Sequence, residues 1–125
     1  MNPILLGAIV AGAGGLGAVG RYLLDGAVGD RLSGTFPHGT LVVNLVGSFI
    51  LGLATGLALH HGLPSAWRRA VGVGACGGLT TWSSASFETV RLLEEREYTV
   101  AAQYTVCSLG GCLLAAAAGL ALALI

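Results

Sequence analysis

The stretch "GACGGLTTWSSASFE", Gly74–Glu88, places two adjacent glycines, two threonines and three serines in the middle of a run, residues 70–87, that carries no charge. Gly77 and Gly78 each weaken a helix by about 1 kcal/mol relative to alanine. Thr80, Thr81, Ser83 and Ser84 bring hydroxyls able to satisfy backbone groups that a break sets free. The expectation is a membrane-spanning helix interrupted near its middle. Such breaks persist at membrane depth only where protein or a cavity surrounds them, and their carbonyls and half-helix ends make ion sites. Carbonyl oxygens suit a hard cation, whereas amide, hydroxyl and aromatic edges suit a small anion.

The rest of the chain supports a membrane setting. Of 125 residues 54% are hydrophobic and 10% charged, and the mean hydropathy is +0.81. A soluble domain carries about 25% charged residues, so this chain lacks the charge to coat a water-facing surface. Residues 1–20, 70–87 and 98–125 have no charged side chain, and 32–67 only histidines. Each run can hold the ~20 residues that cross ~30 Å of hydrocarbon. Helices are therefore predicted near 3–23, 39–60, 66–95 with an interruption, and 97–124, as one four-helix domain over residues 1–125. The N-terminal run lacks a positive n-region and exceeds the ~7–15 residues of a signal-peptide core, so it reads as helix 1.

The charges flank these helices. Arg21 with Asp25 and Arg91 with Glu95 have the i,i+4 spacing of interfacial ion pairs, which contribute little. Four arginines (Arg21, Arg31, Arg91, Arg96) go with loops 1 and 3, against Arg68 and Arg69 with loop 2 and the termini. That is a mild positive-inside preference. Ridges of small residues, Gly7, Ala11 and Gly15 in helix 1 and Ala115, Gly119 and Ala123 in helix 4, are expected to be packing faces. "GAGGLGAVG" has glycine spacing, but no strand precedes it, so a phosphate-cradling loop is excluded. Cys76, Cys107 and Cys112 form no CxxC, and His60 and His61 sit at an interfacial helix end. No Ser/His/Asp or metal-ligand cluster is present, and an enzyme is not expected.

Polar residues inside the apolar runs carry more information, because they are costly in hydrocarbon. Thr40, Asn44 and Ser48 recur every four residues on helix 2; Tyr104, Ser108 and Cys112 do so on helix 4. Each set forms one stripe. Two roles are open: interhelical hydrogen-bond glue, or the wall of a solute path together with the hydroxyls of helix 3.

The segments "GGLGAVGRYLL" (Gly14–Leu24), "GTLVVNLVGSFILG" (Gly39–Gly52) and "GGLTTWSSASFET" (Gly77–Thr89) resemble, in this order, the three signature blocks of the CrcB/Fluc fluoride channels. The resemblance implies an all-α membrane protein whose four transmembrane helices, the third broken near its middle, pair as an antiparallel, dual-topology dimer in the cell inner (plasma) membrane. It implies two fluoride pores at the dimer interface, fluoride export by passive conduction, and one structural Na⁺ held by the backbone carbonyls of Gly77 and Thr80. Asn44 would offer its amide to fluoride. Thr40, Ser83 and Ser84 would continue a polar track, Tyr104 and Ser108 would line the pore, Arg21 would sit at a vestibule, and Glu88 would lie on the pore side. The family pattern TTFSTF carries two phenylalanines; here those positions are Trp82, which keeps an aromatic edge and adds an N–H donor, and Ala85, which keeps neither. Phe87 lies ~200° away around the helix and is no obvious substitute. The partner is another copy of this chain or a paralogous subunit of opposite orientation. This chain would then be a channel or a half-functional partner in a heterodimer. A small multidrug/proton antiporter is the remaining alternative, but residues 3–20 hold no coupling carboxylate. No nucleic-acid partner is expected. Gly77 is the glycine whose replacement by valine is expected to disturb the break.

Overall fold

The computed structural model describes residues 1–125. It is 84% helical and contains no strand. The elements are α1 (Pro3–Arg31), α2 (His38–His60), α3 (Ser65–Arg68), a π-helical segment (Arg69–Cys76), α4 (Gly77–Leu79), α5 (Trp82–Glu94) and α6 (Tyr98–Leu122). Three of them, α1, α2 and α6, are long and apolar enough to cross a membrane. Only 17 of the 125 residues are buried, so most of the apolar surface faces outward, as it must in a chain whose surroundings are hydrocarbon.

α1 starts where the sequence places a cap: the Asn2 side chain accepts from the Ile4 N–H at 2.9 Å, with Pro3 in the first turn. It runs to Arg31 instead of ending near residue 23. Its 29 residues span ~44 Å at ~1.5 Å per residue, more than the hydrocarbon thickness, so the charged last third needs no place in lipid. The expected Arg21–Asp25 pair does not form. Arg21 turns to the Thr80 carbonyl instead, and Asp25 lies against Gly39. The Arg91–Glu95 pair is absent too: α5 ends at Glu94, Glu95 is its C-cap, and Arg91 meets Glu88 at 2.7 Å. Arg96, at φ 61°, then turns the chain into α6, and the Glu97 N–H bonds the Leu92 carbonyl at 2.8 Å.

The predicted interruption is present at Thr80 and Thr81, where the backbone is extended (ψ 159° at Thr80; φ −148°, ψ 117° at Thr81). The π-helical turns just before it have no signal in "RAVGVGAC". α1 lies along residues 74–79 with both chains running the same way, and α2 lies along α6 in the same manner. These packings are backbone to backbone. A Cβ on Gly17 would strike the Ala75 carbonyl, one on Gly78 the Gly14 carbonyl, and one on Gly119 the Phe49 carbonyl.

The helix 4 ridge packs as expected, with Gly119 on Phe49 and Ala123 on Gly56. The helix 1 ridge does not: Gly7, Ala11 and Gly15 are exposed, and nothing lies within 4 Å of a Cβ at Gly7 or Gly15. Gly14 and Gly17, one face around, make the contact. The deepest cluster is Leu92, Ala101 and Tyr104, with Phe36, Leu41, Ala85 and Val100 packed on it. His61, expected only at an interface, also ties the α2 end to α6, its Nε2 lying 2.8 Å from the Ala123 carbonyl.

Candidate functional site

The break is held by one amide. The Asn44 Oδ1 accepts from the Thr81 N–H at 2.7 Å, and the Asn44 Nδ2 donates to the Thr81 carbonyl at 3.0 Å. This reciprocal pair fixes which amide atom is which. A continuous helix would send the Thr81 N–H to Gly77; here that donor is spent on Asn44, so the Gly77 carbonyl loses its helical partner. Of the four hydroxyls expected to cap the remaining ends, those of Thr80 and Thr81 do so, while those of Ser83 and Ser84 reach only the Thr81 hydroxyl. Thr80 Oγ1 donates to the Cys76 carbonyl at 2.8 Å, and Thr81 Oγ1 accepts from the Ser84 N–H at 3.0 Å as the N-cap of α5. Thr81 Oγ1 is also 3.2 Å from Ser83 Oγ and 3.0 Å from Ser84 Oγ.

Gly77 is exposed, in an ordinary α conformation, and a Cβ there would meet nothing within 4 Å. The glycine the break depends on within the chain is therefore Gly78, which faces α1, not Gly77, which faces outward.

A groove of about 700 Å³ opens beside the break, lined by Asn44, Ser48, Gly77, Thr80, Thr81, Trp82, Ala85, Tyr104, Ser108 and Cys112 among others. Both polar stripes read from the sequence thus reach one space. Their first member, Thr40, does not. It lines a second cavity of about 370 Å³ formed by the loop between α1 and α2, together with Asp25, His38, Glu88 and Arg91. Ser83 and Ser84 line neither space and belong to the Thr81 cap. Arg21 lines neither, and its Nη1 donates to the Thr80 carbonyl at 3.3 Å. Trp82 is 86% exposed at the groove mouth and Phe87 is exposed too.

The loop cavity was not legible in the sequence. It exists because Phe36 folds back, its ring edge-on to Tyr104 at 5.6 Å and tilted by 42° against His38 at 4.8 Å. Four buried side-chain atoms lack a hydrogen-bond partner: Tyr104 Oη, Ser108 Oγ, Glu88 Oε2 and Arg91 Nε. Glu88 and Arg91 are in charge contact without hydrogen-bond alignment. All four belong to residues lining the groove or the loop cavity. Buried polar atoms of this kind call for a water, an ion or a further protein group, and Tyr104, only 1% exposed, stands in the wall between Phe36 and the groove.

A polar line beside a broken helix, within a bundle whose long helices are membrane-crossing, is the build of a membrane protein that passes a small solute. The family model described as "CrcB-like protein, Camphor Resistance (CrcB)" matches residues 8–120. The chain is 54% identical over 101 residues to "Fluoride-specific ion channel FluC 1" of Leifsonia xyli, covering 81% of this chain and 73% of that one. It is 40% identical over 125 residues to "Fluoride-specific ion channel FluC" of Caulobacter vibrioides, covering 98% and 96%, and 40% identical over 116 residues to "Fluoride-specific ion channel FluC 3" of Bifidobacterium longum, covering 93% and 96%. The chain belongs to the CrcB family of FluC fluoride-specific ion channels, which are not enzymes.

Proposed function

We propose that this chain forms a passive, fluoride-selective channel that exports fluoride across the cell inner membrane and so lowers its cytoplasmic level. The observation that carries this is the set of unpartnered buried donors at Tyr104 Oη, Ser108 Oγ and Arg91 Nε. An anion moving along them exchanges its hydration for hydroxyl and N–H donors, which a purely structural polar stripe would have satisfied internally. Asn44 spends one of its two N–H donors on Thr81 and keeps the other for the groove. Thr40 continues the path into the loop cavity, Trp82 offers an aromatic edge at the mouth, and Ser83 and Ser84 contribute by bracing the Thr81 cap. Arg91 neutralises Glu88, which would otherwise repel an anion.

The segment from Ser65 to Glu94 supplies the fourth crossing, and two chains pair antiparallel across the open groove. Gly77 and Thr80 fit a structural sodium ion: the Gly77 carbonyl has lost its helical donor, and main-chain oxygens are the hard ligands such a cation takes. Bound there, the ion would supply a positive charge that ties the two helix breaks together.

Purified protein in liposomes is expected to dissipate a fluoride gradient with no energy source while chloride passes far more slowly. Equal fluoride and chloride rates would remove this function.

A paralogous heterodimer is the second reading, favoured by Ala85, which lines the groove where an aromatic is expected, and by the numbered names of several relatives. In it this chain is the weaker half of the pore. Ala85→Phe is then expected to raise flux, and the chain alone to insert in one orientation; mixed orientation with full flux from the chain alone would exclude the heterodimer.

A further inference from the structure

α1 brings one charged residue to the helix break. Gly14 and Gly17 lie backbone to backbone on residues 74–79, and one turn beyond Gly17 the same face carries Arg21. Its Nη1 donates to the Thr80 carbonyl at 3.3 Å. No carboxylate answers this guanidinium: the one ion pair is Arg91 with Glu88, and Asp25 packs on Gly39. A guanidinium packed between helices takes a backbone carbonyl when no acid is offered, and here the carbonyl belongs to the break itself.

We infer that Arg21 is a positioning residue that holds the Thr80 carbonyl and, as a fixed positive charge on that oxygen, sets how weakly a second cation is held at the break. The inference rests on the sodium site proposed above. A carbonyl oxygen has two lone pairs, so a guanidinium and a sodium ion can share it. Two positive charges a few ångströms apart nevertheless repel strongly away from bulk water. Arg21 therefore keeps Thr80 in its extended conformation when sodium is scarce, and lowers sodium affinity when it is plentiful. Neutral replacements remove the repulsion, whereas lysine keeps the charge and gives up only the planar fork.

The test uses the full chain in lipid nanodiscs with Trp67→Phe, which leaves Trp82, two residues from Thr80, as the only tryptophan. Sodium is titrated against N-methylglucamine at constant ionic strength while Trp82 emission is followed. Arg21→Gln, and Arg21→Met as a second neutral variant, are expected to lower the sodium midpoint about tenfold. Arg21→Lys is expected to stay close to the parent. A neutral variant whose midpoint is unchanged or raised overturns the inference, and so does a lysine variant that moves with the neutral ones, since charge would then not be the cause. If the parent conducts fluoride but no protein in the series responds to sodium, the sodium site falls and this inference with it.

Discussion

Residues 74–79 are gripped by backbone contact, Gly78 on Gly14 and Gly74 on Val10, whereas residues 82–94 touch the bundle chiefly through the Leu92–Tyr104 cluster and leave a groove of about 700 Å³ beside them. The same polypeptide segment is thus closed on one side of Thr80 and open on the other. Small residues without polar side chains make the first half a packing element. Hydroxyls, an exposed tryptophan and unpartnered polar atoms make the second half a surface that still has something to contact. The break separates a scaffold from a site, and Asn44 holds the boundary.

The largest effect that would test this contrast is at the closed half. Gly78→Ala drives a methyl into the Gly14 carbonyl, backbone against backbone, and is expected to cost at the upper end of the ~1–3 kcal/mol of overpacking, or more. Gly77→Ala, one residue away, meets open space in an α conformation and is expected to leave folding of the chain intact, with a gain of up to about 1 kcal/mol. Thermal unfolding in detergent separates them; equal losses at the two positions would mean that the outer face of Gly77 is as closely covered as the inner face of Gly78. Thr81→Ala removes the α5 cap on the Ser84 N–H and is expected to lower stability by ~1 kcal/mol. Ser84→Ala, which keeps that N–H, is expected to cost less. Gly7→Ala and Gly15→Ala, on the exposed ridge of α1, are expected to be the mildest, and a strong loss of assembly there would place another chain against α1.

Much of this arrangement was legible in residue types. The charge-free runs located the helices, and paired glycines followed by hydroxyls located the break, because both signals are local. The extension of α1 to Arg31 was hidden by its charges, which read as a loop although a helix longer than the bilayer carries them without cost. Choosing Gly14 and Gly17 over Gly7 and Gly15 needs the rotation of α1 about its axis, which spacing alone leaves free. The loop cavity depends on Phe36 folding onto Tyr104 across 68 positions of sequence, and Arg21 on Thr80 depends on the register of two helices. Local pattern carries neither.

Asn44 is where scaffold and site meet, and its replacement by aspartate tests the account most directly. The new carboxylate would still accept from the Thr81 N–H, but both Nδ2 donors, one to the Thr81 carbonyl and one open to the groove, would give way to an acceptor oxygen. The measurement is fluoride efflux from liposomes for wild type and Asn44→Asp, normalised to the amount of assembled protein. The account predicts a roughly tenfold to hundredfold loss of flux, the size expected when a hydrogen bond to a charged partner is removed, in protein that still assembles. Wild-type flux from well-assembled Asn44→Asp would contradict it and take Asn44 out of the path.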